Sequence, residues 1–338
     1  MLYYYTNGES FVIAFGYGAR FRNMMSAVRR LMAVSSLLAA SAATAVPAFA
    51  EPNVVVSIKP IYSLVASVMR GVGEPKLLLD GNQSPHSFSL KPSQAAILQD
   101  ADAVIWVGHS LEVFLEKSLR SIAPNAKSIE LMEAKGIHHV KSGGHDHHDD
   151  DHGDDGGVDD DHAVKGAARD PHIWLDTENA HAMVGDIAEG LAALDPENAD
   201  LYRRNVISTR QKIEALTAEI AAELSSLKGM KFMAFHDAYG HFEHRFGVES
   251  AGSLTINPEV SPGARRLRDL QARVKSQNIK CVFSEPQFDA NAWRAVIANT
   301  DLRLSTIDPL GVHIEAGPDM YGQLVRGVAS SLKTCMTQ

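Results

Sequence analysis

The sequence predicts an α/β protein of two lobes, each built on a mostly parallel sheet, joined by one long rigid helix, with a metal site in the cleft between them. Three observations carry this prediction. Short, continuously apolar runs rich in β-branched residues alternate with helical patterns, as buried parallel strands do. The runs fall into two groups separated by one extended helical pattern. Histidines and an aspartate stand just past the ends of these runs in both groups, where open α/β sheets bind their ligands.

The first group of strands is Val54-Val55-Val56-Ser57-Ile58, Leu77-Leu78-Leu79 and Ala103-Val104-Ile105-Trp106-Val107. The second is Lys231-Phe232-Met233-Ala234-Phe235, Lys280-Cys281-Val282-Phe283 and Leu304-Ser305-Thr306-Ile307. Between them, Asp195 reads as an N-cap with Pro196 at the first helical position. Apolar residues follow at Leu201, Ile213, Leu216, Ile220, Leu224 and Leu227, and Gly229 ends the run. A helix of about 30 residues spans about 45 Å and serves as a stiff strut. The expected division is an N-terminal lobe over 51–194, a linking helix over 195–228 and a C-terminal lobe over 229–338.

Residues 1–50 form no part of this pattern. Arg29 and Arg30 precede an apolar run, Leu31 to Val46, followed by Pro47-Ala48-Phe49-Ala50. A charged start, a short apolar stretch and an A-x-A-like end make a secretory signal peptide, with cleavage expected after Ala50. The run is shorter than the roughly 20 residues needed to span a bilayer. Met24 or Met25 is the expected start of translation, and the absence of a Cys after the apolar run excludes a lipid anchor. The expected location is the periplasm, without a lipid anchor.

Of the 338 residues, 45% are hydrophobic and 22% charged, an ordinary globular composition. The net charge of −9 is local, because nine Asp crowd between His145 and His162 and the rest of the chain is balanced. No basic patch suits nucleic acid. Seven of the 15 histidines (His138, His139, His145, His147, His148, His152 and His162) share this acidic tract, which lacks apolar periodicity. It reads as a disordered loop, about 138–165, inserted in the first lobe. Most charge runs are solvated linkers, but Asp alone would serve that purpose. Clustered His with carboxylates is a weak, multi-site metal binder.

The two cysteines, Cys281 and Cys335, lie in the exported part. An even pair in an oxidising compartment favours a disulfide, and the pair lacks the C-x₂-C spacing of zinc sites.

Four segments place metal-ligand chemistry at strand ends. His86 lies in Ser84-Pro85-His86-Ser87-Phe88, and His172 in Asp170-Pro171-His172-Ile173-Trp174-Leu175. His236 lies in Phe235-His236-Asp237-Ala238-Tyr239, and Asp308 in Ile307-Asp308-Pro309-Leu310-Gly311. Glu285 follows another strand and reads as a ligand, an interlobe contact or neither. The run His236, His241, His244 lacks the H-E-x-x-H spacing of a zinc protease.

Together with Ser89-Leu90-Lys91-Pro92-Ser93, Pro258-Glu259-Val260-Ser261-Pro262-Gly263 and Ser284-Glu285-Pro286-Gln287-Phe288, these segments make the mature chain resemble the zinc-binding members of the metal-specific solute-binding proteins of ABC importers. The resemblance implies two β/α lobes joined by one long helix, His86, His172 and His236 as zinc ligands, and Asp308 or Glu285 as a possible fourth. It also implies a non-enzymatic monomer that captures Zn²⁺ and docks on a membrane permease driven by an ATPase. Manganese-type relatives place a carboxylate at the position of His236, and three imidazoles suit Zn²⁺ better than the harder Mn²⁺. The competing readings are manganese or iron supply, a secreted zinc hydrolase, and a metal buffer that uses the tract alone.

Overall fold

The computed structural model describes residues 51–143, 169–256, 258–298 and 300–338. The expected signal peptide and the tract histidines His145, His147, His148, His152 and His162 lie outside the described residues. Residues 51–338 make one compact unit. Among the described residues no helix is long and apolar enough to cross a membrane.

The first sheet comes from β1 (Val54–Ile58), β2 (Lys76–Leu79), β3 (Ala103–Trp106) and β4 (Lys127–Glu130). Helices α1 (Lys59–Val68), α2 (Pro92–Gln99) and α3 (Val113–Ile122) connect them. The strand order is β2-β1-β3-β4 and every pairing is parallel. The two inner strands, β1 and β3, are buried at every position, which is why they read from sequence as unbroken apolar runs. β4, Lys-Ser-Ile-Glu, is an edge strand with one buried residue and leaves no such trace.

The second sheet repeats the plan with β5 (Lys231–His236), β6 (Glu249–Thr255), β7 (Cys281–Ser284) and β8 (Arg303–Thr306). Its order is β6-β5-β7-β8, again all parallel. Helices α6 (Gly240–Phe246), α7 (Ala264–Ser276) and α8 (Arg294–Ile297) connect these strands.

The link between the sheets differs in detail from a single helix starting at Pro196. Helix α4 (Thr177–Leu194) runs first, and a 3₁₀ turn at Pro196–Asn198 leads into α5 (Ala199–Leu224), 26 residues long. A second 3₁₀ turn, Ser225–Leu227, closes it. Asp195 caps no backbone N–H at the start of this turn. Its Oδ2 instead accepts from Asn198 Nδ2 and the Tyr202 hydroxyl, both at 2.8 Å. Nor does α5 stand alone: α4, α1 and the C-terminal helix α9 (Met320–Thr337) all pack against it. One continuous core runs from β1 through Tyr202, Ile213 and Ile220 of α5 to Phe232, Phe283 and the buried face of α9. A smaller core, with Met233, Leu254, Leu270 and Trp293, lies on the other side of the second sheet. The last helix of the chain thus packs on helices that precede β5.

Cys281, at the start of β7, is disulfide-bonded to Cys335 near the end of α9, as the sequence predicts.

Candidate metal site

The carboxyl ends of the strands bring the site together. His236 is the last residue of β5, His86 lies in the loop after β2, and His172 sits in the turn that leads into α4. His172 Nε2 is 3.3 Å from His86 Nε2 and 3.2 Å from His236 Nε2. Zinc–nitrogen bonds of 2.0–2.1 Å at tetrahedral angles set ligand atoms about 3.3 Å apart. The separations around His172 are those of a tetrahedral edge.

A carboxylate stands behind each of the two buried rings. His172 Nδ1 donates to Asp170 Oδ1 at 2.6 Å, and the same oxygen accepts the His172 backbone N–H at 2.9 Å. His236 Nδ1 donates to Glu285 Oε1 at 2.8 Å. These bonds fix the tautomer and turn each Nε2 lone pair inward. Asp170 is a positioning residue that sequence reasoning passed over. Its signal is the Asp-Pro-His spacing, in which an Asp side chain bonds the backbone two residues on.

Burial pushes the His86 imidazole down to about 2, and the neighbouring His172 and His236 add to this. Burial likewise holds His172 well below its ordinary value, with His236 and His241 adding to it. Burial acts on His236 in the same direction, yet its value is raised, because Glu285, Asp170 and Asp237 together outweigh that penalty. Asp170 is itself pushed up to about 6 by burial, against the charge of His241 and the His172 N–H.

Burial thus favours the neutral, ligating form of His86 and His172, while the carboxylates around His236 make it the ring at which protons compete most with a cation. The sign follows from the raised value: as pH falls, proton competition at His236 begins above about 6.5, the ordinary imidazole value. Binding near pH 6.5 should release about one proton. Glu285→Gln removes the largest influence that raises His236, so the onset should move to lower pH. Weaker orientation of the ring should also reduce affinity about 10–100-fold. Calorimetry in buffers of differing ionisation enthalpy counts the proton, and an unchanged pH profile in Glu285→Gln would refute this account.

Asp308 is placed differently from the three rings. Its Oδ1 accepts from the backbone of Leu310 and Gly311 and from Gln287 Nε2, and its Oδ2 accepts from Val312 N at 2.6 Å. The carboxylate folds the loop 308–312, which supplies Pro309 and Leu310 to the pocket wall. Two groups from the first lobe hold that loop, and a third steadies one of them. Trp174 Nε1 donates to Pro309 O at 2.8 Å. Lys59 Nζ donates to Gly311 O, Val312 O and Ile314 O at 3.4, 3.0 and 2.8 Å. The Tyr321 hydroxyl donates to Trp174 O at 2.9 Å. Lys59 was also missed by sequence reasoning. A lysine in the first turn of a helix opposes the helix dipole, and that mismatch is its signal.

Glu285 lines the pocket as well as holding His236, and its Oε2 is buried without a protein partner. His241 stands apart from the three rings. Its Nε2 lies 3.0 Å from Asp170 O and its Nδ1 3.3 Å from Asn179 Nδ2. His138 and His139, at the start of the tract, are described; His138 stacks on His244, away from the three-ring cluster.

Residues 54–335 match the family described as zinc-uptake complex component A, periplasmic. The chain belongs to this family. It is 41% identical over 309 residues to the high-affinity zinc uptake system protein ZnuA of Brucella suis biovar 1, covering 85% of this chain and 92% of that one. It is 33% identical over 318 residues to the protein of the same name from Yersinia pestis, covering 91% and 98%. Among solved structures, the crystal structure of a ZnuA protein superposes with a TM-score of 0.71 at 24% identity, covering 85% of this chain and all of that one. A zinc-bound ZnuA deletion mutant gives a TM-score of 0.70 at 25% identity, covering 85% and 98%. The two-sheet fold read from the sequence is the fold of these proteins.

Proposed function

We propose that this protein captures zinc in the periplasm, on His86, His172 and His236, and delivers it to the permease and ATPase of an ABC importer. The observation that carries the proposal is the convergence of three imidazoles, with the Nε2 atoms of His86 and His236 each at tetrahedral spacing from that of His172 and two of the rings backed by carboxylates. An all-imidazole set favours Zn²⁺ over Mn²⁺. With the Asp308 oxygens engaged by its own loop, Glu285 Oε2 and solvent water remain to complete the coordination. The space at the centre is about 10 Å³, room for one water-sized particle. That suits an ion as cargo. In this reading residues 1–50 direct export, the oxidising compartment sustains the disulfide, and the protein acts as a monomer without covalent chemistry. Lobes spanning 51–194 and 229–338 on either side of the 195–228 link fit the two sheets, with α9 shared between them. Elemental analysis of protein purified without added metal tests the proposal. One equivalent of zinc supports it, and retained manganese or iron instead would overturn it.

The acidic tract serves in this reading as a weak, salt-sensitive collector around the tight site. Its charge raises the local cation concentration, an effect screened over a Debye length of about 8 Å at 0.15 M. Its two ends are fastened independently of it. Lys141 and Arg169 form an antiparallel bridge, Asp170 N donates to Val140 O at 2.8 Å, and Gly143 N donates to Asp237 Oδ2 at 2.6 Å. Deleting residues 144–168 removes five of the seven tract histidines. The tight site should keep its affinity while the weak, salt-sensitive sites carried by residues 144–168 disappear. Titration of the deleted chain checks this, and loss of the tight phase would mean that the primary ligands are misassigned.

A further inference from the structure

We propose that His138 and His244, backed by Asp176, form a second seat for a borderline divalent cation such as zinc, apart from the three-histidine site. One ligand atom from each of the three residues lies within 4.8 Å of the other two. The two rings stack with centroids 4.1 Å apart and planes 14° from parallel, and His244 Nδ1 lies 4.0 Å from Asp176 Oδ2.

The three residues come from separate, anchored pieces of the fold. His138 is clamped by a side-chain amide: its N–H donates to Asn179 Oδ1 at 2.8 Å, and its carbonyl accepts from Asn179 Nδ2 at 3.0 Å. The backbone is held and the ring is left exposed. His244 lies in the last turn of α6 with its side chain 49% exposed. Asp176 is fully buried and caps α4 through the N–H of Glu178.

Arg245 also binds Asp176, through Nε to Oδ1 and through a terminal nitrogen to Oδ2 at 3.1 Å. A carboxylate offers about four lone-pair sites. Oδ1 takes the Arg245 and Glu178 donors and Oδ2 takes one Arg245 donor, so Oδ2, the oxygen nearer His244, keeps one site. The cationic neighbour makes this seat weaker than the three-histidine site. Tetrahedral zinc needs ligand atoms about 3.3 Å apart with each lone pair in its own ring plane, so the two rings must rotate out of their parallel stack as well as close by roughly an ångström. Two exposed side chains can move that far without disturbing the core.

The chemistry selects the cation. Two imidazoles and one carboxylate suit zinc and its neighbours in the transition series rather than calcium or magnesium, which take oxygen ligands. His138 is also the first histidine of the acidic tract, so the seat stands where that segment leaves the folded protein.

The test uses the full chain crystallised with excess Zn²⁺, with anomalous maps at the zinc edge. A peak between His138 and His244 is expected in addition to the one at His86, His172 and His236. In His244→Gln, checked for an unchanged urea midpoint, the second peak should vanish and the first should remain. In solution, with the first equivalent of zinc already bound, His244→Gln should weaken the tightest remaining site at least about tenfold, as removal of a ligand does. No density at the stacked pair, or density and affinity unaltered in His244→Gln, would overturn the proposal. In the unsubstituted chain, a peak at the stacked pair without one at His86, His172 and His236 would count against the three-histidine assignment and leave this one standing.

Discussion

Replacing His172 by alanine should lower zinc affinity by about 10²–10³-fold. Zinc sites of four ligands are worth roughly 10–16 kcal/mol, or about 2.5–4 kcal/mol for each ligand, and each 1.4 kcal/mol is a factor of ten. His172 should stand at the upper end of this range because both other Nε2 atoms are spaced around it. Its loss also strands Asp170, whose carboxylate is held at 2.6 Å by the ring it positions. The fold should survive, since the following turn is anchored independently by Trp174 to Pro309 and by Tyr321 to Trp174. Calorimetric titration against a competing chelator measures the affinity, and a urea melt checks the fold. Replacing all three histidines should remove the tight phase entirely. If a tight phase persists in the folded triple variant, the site lies elsewhere.

The sequence was most legible where burial is complete. The inner strands of both sheets and the burial stripe of α5 announce themselves because every position, or every third to fourth, must be apolar. The two strands it hid are both sheet edges. β4 is Lys-Ser-Ile-Glu, and β6 is Glu-Ser-Ala-Gly-Ser-Leu-Thr, whose buried positions other than Leu254 are filled by small residues. Small and polar side chains carry little periodic signal. The first helix of the hairpin, α4, was hidden differently: its Gly185 and Gly190 face Arg210 and Ile129 at close range, so close packing there is carried by glycines that sequence reading takes for breakers.

At the site, His86 and His236 were legible from strand ends that the sequence reveals, and His172 from its Asp-Pro-His segment in the turn before α4. The groups behind them were not, because second-layer bonds join residues far apart in the chain. Glu285 reaches His236 across 49 positions, and Lys59 reaches the loop of Asp308 across more than 250. Asp308 shows the converse difficulty. A strand-end carboxylate looks like a ligand, yet three backbone N–H groups and an amide already occupy it. In an ungapped sequence the two roles look alike. What separates them is the Leu-Gly-Val segment that follows, which turns its N–H groups back onto the carboxylate as Asp-initiated turns do.

Reducing the disulfide should destabilise the protein by up to about 4 kcal/mol, the chain-entropy value for a loop of this length. The sequence separation is 54, and the bond joins an inner strand of the second sheet to the helix that packs on α1 and α5. It therefore ties the second sheet to the helical layer that it shares with the first. Both sulfurs are buried, so the double variant Cys281→Ala with Cys335→Ala adds a small cavity cost to the entropic one. Against a total stability of roughly 5–15 kcal/mol for a domain, the loss is large, and the urea midpoint should fall accordingly. Zinc affinity of the folded variant should change little, because neither cysteine touches a ligand. Cys281 does open the strand that ends at Ser284, just before Glu285, so a modest weakening through His236 would show that the strand end had shifted. Equilibrium unfolding with and without reductant decides the matter: coincident midpoints would mean that the continuous core through α5 and α9 alone holds the second sheet in place.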